Sequence, residues 1–187
     1  MVMPDLARTW TREAVLALPD DGNRYELVDG ELLVTPSPRR NHQIGVRELF
    51  RLVDPYVRAH RLGDTLLSPA DLDLRSGQLV QPDLFVDPMV DGRPPVDWAD
   101  CAVPILVAEI LSPSTARYDR FTKRRRYQRS GVACYWIVHL EARLVEVWTP
   151  AATQPTITDD TLVWHPEPSI PPLSLDLPGY FREVWVE

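Results

Sequence analysis

The run ILVAEILSPST, residues 105–115, sets a lone carboxylate, Glu109, inside an aliphatic stretch that reads as a buried strand. A carboxylate taken out of water without a partner costs several kcal/mol, so burial obliges Glu109 to find a cation or a proton. Side chains alternate along a strand, which puts Glu109 on one face with Val107 and Leu111 and turns Ala108 and Ile110 to the other. A second acid on an adjacent strand would complete a pocket. Asp83 in QPDLFVDP is best placed, because it follows a proline tolerated at a strand's first position and leads into Leu84, Phe85 and Val86. Two carboxylates converging on one sheet face repel each other unless a cation lies between them. A hard divalent ion such as Mg²⁺, with Mn²⁺ as a substitute, takes one or two carboxylates, a carbonyl oxygen and retained waters. Asp83, Glu109 and the backbone carbonyl of Ile110 are that candidate set.

These residues need elements to hold them. TWTREAVLALPD predicts a short helix capped by Thr11, with Glu13 in its first turn and Pro19 ending it. YELVDGELLV predicts a hairpin, with strands 25–28 and 31–34 around Asp29-Gly30. Val46, Leu49, Phe50, Val53 and Val57 recur at helical spacing, with Gly63 as the stop. TLLSPADLDLRSGQLVQPDLFV alternates as a second hairpin around Ser76-Gly77, its last strand being 82–86. The segment VDPMVDGRPPVDW reads as a loop. After the buried strand 105–111 and a break at Ser112-Pro113, residues 116–130 form a charged helix closed by Gly131. CYWIVHL and RLVEVWT follow as two strands, and weak strand signals recur near 161–164 and 173–177 in a proline-rich tail.

Composition bounds the class. A chain of 187 residues, 44% hydrophobic and 25% charged, is sized for one domain, 1–187, with a substantial core. Nineteen prolines are about twice the usual frequency of roughly 5%, and most punctuate short elements. Two cysteines, Cys101 and Cys134, are too few for a disulfide framework or a zinc cluster, which points to a reducing cytoplasm. MVMPDLARTW has no apolar core of signal-peptide length and no stretch approaches the ~18 to 20 apolar residues of a membrane span, so no membrane partner is expected. The net charge of −7 argues against indiscriminate nucleic-acid binding. It is unevenly spread: RYDRFTKRRRYQR, 117–129, holds seven basic residues and one acidic, so the segment is +6 and the remainder −13.

The ordered set YELVDGEL, PSP-x-x-x-H, QPDLFV, EILSPST, then Asp119, Lys123, Tyr127 and GVACYWIV resembles the PD-(D/E)XK nuclease superfamily and, within it, the bacterial restriction-endonuclease-like family called Uma-two. The resemblance runs from about residue 10 to 150 and extends to the end of the chain. It implies an α/β fold of restriction-endonuclease-like type, a mixed central β-sheet flanked by helices, and metal-dependent hydrolysis of phosphodiester bonds. One departure stands out: the superfamily's lysine two residues after the glutamate is Leu111 here. In the narrower family that lysine lies on the following helix, where Lys123 stands.

On this resemblance Asp83 and Glu109 bind Mg²⁺, and Lys123 orients or deprotonates the attacking water and stabilises the transition state. Glu26, on the YEL strand, is an outer metal or water ligand. Tyr127, one turn beyond Lys123, shares its helix face and touches substrate. Arg124 in the basic run, and Ser112 with its neighbouring amides at the helix start, contact phosphate.

Each residue has a plainer reading beside this one. Glu109 pairs with an arginine, Glu26 is an ordinary strand carboxylate, and Asp119 with Lys123 is an i,i+4 helix pair. Ser112, Ser114 and Thr115 break the strand and cap the helix, and the basic run is a solvated face. His42, His60, His139 and His165 lack metal-ligand spacing, and His42, at a position the family shares, has no role legible in sequence. Two functions stay open: an Mg²⁺-dependent DNA endonuclease, expected as a homodimer pairing two basic helices across a duplex, or a catalytically inactive DNA-binding or protein-interaction module on the same fold.

Overall fold

The computed structural model describes residues 10–19, 21, 23–28, 30–35, 38–74, 79–112 and 116–185, without the side chains of Arg24, Thr35 and Asp73. Asp29, Pro36, Ser37, the Ser76-Gly77 turn, Pro113, Ser114 and Thr115 lie outside the described residues.

A six-stranded sheet dominates, built from β3 (Gly63–Leu67), β6 (Leu84–Pro88), β7 (Leu106–Ile110), β8 (Tyr135–His139), β9 (Leu144–Trp148) and β10 (Thr156–Thr158). Its spatial order is β10-β9-β8-β7-β6-β3. Only β7 and β8 run parallel, so the sheet is mixed. A parallel pair needs a crossover, and the helical segment 116–130 supplies it.

Alternation along β7 divides the molecule. Leu106, Ala108 and Ile110 join the core formed with α2 (Arg40–Ala59) and α4 (Leu177–Trp185) through Leu49, Val53, Val57 and Phe181. Val107 faces the other way, with Phe85, Tyr135, Ile137 and Trp148. That second face is closed by Tyr127 of the crossover helix and by Val28, Leu72 and Val80 of a smaller sheet. The smaller sheet has the order β2-β1-β5-β4, from β1 (Arg24–Val28), β2 (Glu31–Thr35), β4 (Leu72–Asp73) and β5 (Leu79–Val80). β1 and β2 form the expected hairpin, Val28 opposite Glu31, with Gly30 at φ 82.

Four expectations are corrected. Residues 65–86 do not make one hairpin: β3 pairs with β6 in the large sheet, while β4 and β5 pair in the small one. Gly63 does not stop α2. Arg61 takes the left-handed conformation there, at φ 53, and Gly63 opens β3 where a Cβ would run into the backbone oxygen of Asp87. The tail pairs β11 (Thr161–Trp164) with β12 (Leu173–Asp176) as read, but it also forms β10 and α4, which were not. In α4 the Pro178-Gly179 pair reads as a breaker, yet proline suits a first turn and Asp176 accepts a hydrogen bond from the Gly179 amide. Finally, the crossover helix is not uniformly α-helical: Tyr118–Lys123 is π-helical, between α-helical residues 116–117 and the α-helix Arg124–Ser130, α3, which is closed by left-handed Gly131 as expected.

The short helix α1 (Arg12–Leu16) is capped by Thr11, whose hydroxyl accepts from the Ala14 amide. No helix among the described residues is long and apolar enough to cross a membrane.

Candidate active site

β6 and β7 are antiparallel, with Leu84 opposite Ala108 and Phe85 opposite Val107. The same register carried one residue further brings Asp83 opposite Glu109, and the Asp83 Oδ2 accepts the Ile110 amide at 2.9 Å. Glu26 arrives from β1 in the small sheet, its Oε1 accepting the Gln81 amide at 2.8 Å. Lys123 comes down from the crossover helix between them. Its Nζ lies 3.0 Å from Glu109 Oε1, 3.0 Å from Glu26 Oε1 and 3.6 Å from Asp119 Oδ1. Three elements far apart in sequence, β1, β7 and the crossover helix, therefore meet at one ammonium.

The π-helical turn helps to aim these side chains. In an unbroken α-helix eight residues turn through about 800°, which would swing Tyr127 about 80° away from the direction of Asp119. The wider i→i+5 turn takes back part of that rotation. Asp119, Lys123 and Tyr127 consequently all point inward and are buried. The Tyr127 hydroxyl donates to Glu109 Oε1 at 3.0 Å, and the Tyr135 hydroxyl donates to the Asp119 carbonyl at 3.2 Å.

Burial dominates the electrostatics. Glu26, Glu109, Asp83, Asp119 and Lys123 are 0, 2, 3, 1 and 1% exposed, so water screens none of them. For Lys123, burial pulls against the ammonium, but Glu109, Glu26, Asp119 and Asp83 outweigh it and hold its pKa well above the ordinary value. Lys123 is a fixed cation. For Glu109, burial pushes the carboxyl up, Lys123 draws it down, and the neighbouring Asp83, Asp119 and Glu26 push it up again. Four carboxylates share one ammonium, and the Glu26 Oε2 is buried with no hydrogen-bond partner.

That excess of oxygen donors and negative charge suits a hard divalent cation. Among the described residues no three His, Cys, Asp or Glu side chains converge as a metal-binding group. The fit is to the smaller set Mg²⁺ accepts, which is Asp83, Glu109 and the Ile110 carbonyl with water completing the shell.

The sequence reading did not give His42 a role. In the structure it stands in the first turn of α2, and its Nε2 is 3.0 Å from Asp83 Oδ2. An ionised carboxylate only accepts, so Nε2 carries the hydrogen. The Nδ1 is buried with no hydrogen-bond partner. The signal available in sequence was PSP-x-x-x-H itself: a polar residue at a helix start whose neighbours Ile44 and Leu49 face the core.

The remaining predicted site residues are placed otherwise than expected. Tyr127 is fully buried against Glu109 instead of facing outward to a substrate, because the helix face it shares with Lys123 is the inner one. Arg124 stacks over the Trp148 ring, 4.4 Å from its centroid, and donates to the Arg120 carbonyl and to Gln128. Ser112 lies two residues beyond β7, its carbonyl accepting the Ala116 amide at 2.9 Å. A neighbouring network joins Arg120, His139, Glu146 and Trp148: Glu146 lies 3.0 Å from both Arg120 and His139 and accepts the Trp148 indole hydrogen. It ties the π-helical turn to β8 and β9.

The family model described as "Uma2: Putative restriction endonuclease" matches residues 12–178. The fold is similar to the crystal structure of a "putative nuclease belonging to DUF820" from Anabaena variabilis, with a TM-score of 0.71 at 18% identity, covering 94% of this chain and 99% of that one. No curated protein matches the sequence.

Proposed function

The chain belongs to the Uma2 family of restriction-endonuclease-like proteins, and we propose that it is a metal-dependent endonuclease hydrolysing phosphodiester bonds in DNA, with Mg²⁺ as its ion and Mn²⁺ as a substitute. The observation that carries this reading is Lys123 at hydrogen-bond distance from both Glu109 and Glu26, with Asp83 anchored beside them by the Ile110 amide, inside a nuclease-like fold. Asp83, Glu109 and the Ile110 carbonyl would hold the ion. When bound, Mg²⁺ lowers the pKa of a coordinated water and offsets charge on the phosphate. Lys123, locked as an ammonium, serves as a hydrogen-bond donor and charge stabiliser more readily than as a base. Glu26 sets its position from the opposite side. Tyr127 holds Glu109 in place, and Ser112 and Arg124 would meet phosphate only once Arg124 leaves Trp148. The reading extends to one domain spanning 1–187, a cytoplasmic location and a homodimer, the last tested by sedimentation at micromolar concentration.

The decisive experiment is a calorimetric titration of Mg²⁺ and Mn²⁺ into the wild type and Asp83→Ala, followed by cleavage assays on DNA. Binding lost in the variant, with cleavage by the wild type, supports the proposal. One observation favours a second reading, a catalytically inactive DNA-binding or protein-interaction module: all five charged groups are closed to solvent, so a substrate reaches Lys123 only if the covering elements part. Absence of metal binding and cleavage in the wild type would select that reading.

A further inference from the structure

The crossover helix has a second stripe. Arg117, Phe121, Arg125 and Arg129 are each four residues apart and each exposed. They are offset by two residues from Asp119, Lys123 and Tyr127, and two residues are about 200° of helix, so the two stripes lie back to back. The rotation taken up by the π-helical turn aligns the outer stripe as it does the inner one.

The outer stripe is built differently from the rest of this basic segment. Arg120 is engaged by Glu146 and Arg124 by Trp148. Among the described residues Arg117, Arg125 and Arg129 have no recorded ion pair. The segment's one acid, Asp119, is buried on the other side. Between the arginines Phe121 is 54% exposed, a large apolar ring left in water on a helix that had polar residues to spare.

We infer that this outward face, Arg117-Phe121-Arg125-Arg129, is a contact surface for single-stranded nucleic acid. Arginines about 12 Å and about 6 Å apart along the helix match a phosphate backbone in charge, and the ring between the first two offers a flat apolar platform for an unpaired base. A duplex keeps its bases stacked and would leave Phe121 unused. A second copy of the chain packed on the same face would bring like charges together. The face lies across the helix from the carboxylate cluster, so it is a binding surface separate from the proposed catalytic groups. It stands whether or not those groups cut.

The test is fluorescence anisotropy of the full chain with a labelled single-stranded oligodeoxynucleotide of about twelve nucleotides, longer than the ~18 Å the stripe spans, and with the corresponding duplex. EDTA is present throughout, so the outcome is independent of metal binding and cleavage. The wild type is expected to bind the single strand more tightly than the duplex, with a log–log salt slope of about −2 for three phosphate contacts. Phe121→Ala should weaken single-strand binding about fivefold or more and leave duplex binding unchanged. Phe121→Tyr should keep the affinity, and Arg125→Glu with Arg129→Glu should abolish it. Because all four side chains face solvent, unchanged melting temperatures accompany these effects. No binding of the single strand, tighter binding of the duplex, or indifference to Phe121→Ala would each overturn the inference.

Discussion

Lys123 Nζ sits 3.0 Å from Glu26 Oε1, joining the crossover helix of the large sheet to the first strand of the small one. Ninety-seven residues of chain separate these two side chains, and both are at most 1% exposed. The ammonium is the one cation that Glu26, Glu109 and Asp119 have in common.

Removing that cation should cost far more than removing a surface lysine. Lys123→Ala leaves three carboxylates buried around an empty position, and breaking a buried pair from one side typically costs about 3–5 kcal/mol. The variant should melt well below the wild type and lose cleavage while still binding metal, the more tightly because the competing ammonium is gone. Mg²⁺ should restore more stability to the variant than it adds to the wild type, since it supplies the missing charge. Thermal melts with and without Mg²⁺ measure this, and equal stabilisation of both proteins would contradict it.

His42 and the Ile110 amide both donate to one oxygen of Asp83, which fixes the rotation of that carboxylate. Partners that orient a metal ligand typically contribute 10–100-fold to affinity. His42→Ala should weaken Mg²⁺ binding by roughly that factor, whereas His42→Gln, whose amide nitrogen reaches about as far as Nε2, should stay close to the wild type. Calorimetric affinities that are the same for all three proteins would remove His42 from this role.

Stability should fall steeply in alkali. The folded pKa of Lys123 is raised well above its ordinary 10.5, because four carboxylates outweigh the burial that opposes it. The contribution is therefore complete below 10.5 and is lost as pH climbs through the folded value. Burial first, and Glu109 next, raise Tyr127 well above its ordinary 10.0. The native state then holds a proton that the unfolded chain has released, so stability again drops as pH rises past 10. Each group adds a slope of up to about 1.4 kcal/mol per pH unit. Urea midpoints across the alkaline range should decline, and Tyr127→Phe should flatten the decline.

Gly63 tests the fold independently of the site. A Cβ there meets the Asp87 carbonyl, a backbone atom in the paired strand β6 that cannot swing aside. Gly63→Ala should cost about 3 kcal/mol or more, since over-packing and backbone strain add. Gly92→Ala, where a Cβ meets nothing within 4 Å but φ is +74, should cost about 1 kcal/mol. Chemical denaturation of both variants gives the comparison.

The sequence by itself determined the local elements and the identity of the acids. Alternation alone turned Glu109 away from Ile110, the Asp29-Gly30 pair marked a hairpin, and Gly131 marked the end of the crossover helix. These depend on neighbours in the chain, through side-chain period and glycine's freedom at positive φ, and so can be read along it. The ordered motifs also carried the family. Helix α4 was hidden because Pro178 and Gly179 signal a break unless one knows that Asp176 caps the turn and that Tyr180, Phe181 and Val184 have a core to fill.

The meeting of residues was a tertiary decision. No local rule brings Glu26 to Lys123 or His42 to Asp83, because those distances depend on how the small sheet and the start of α2 dock against β6 and β7. Nor does spacing alone say which face of the basic helix goes inward. That was decided by the buried carboxylates on the two sheets: they draw Lys123 out of water, the π-helical turn brings Asp119 and Tyr127 in with it, and Arg117, Phe121, Arg125 and Arg129 are left to the solvent.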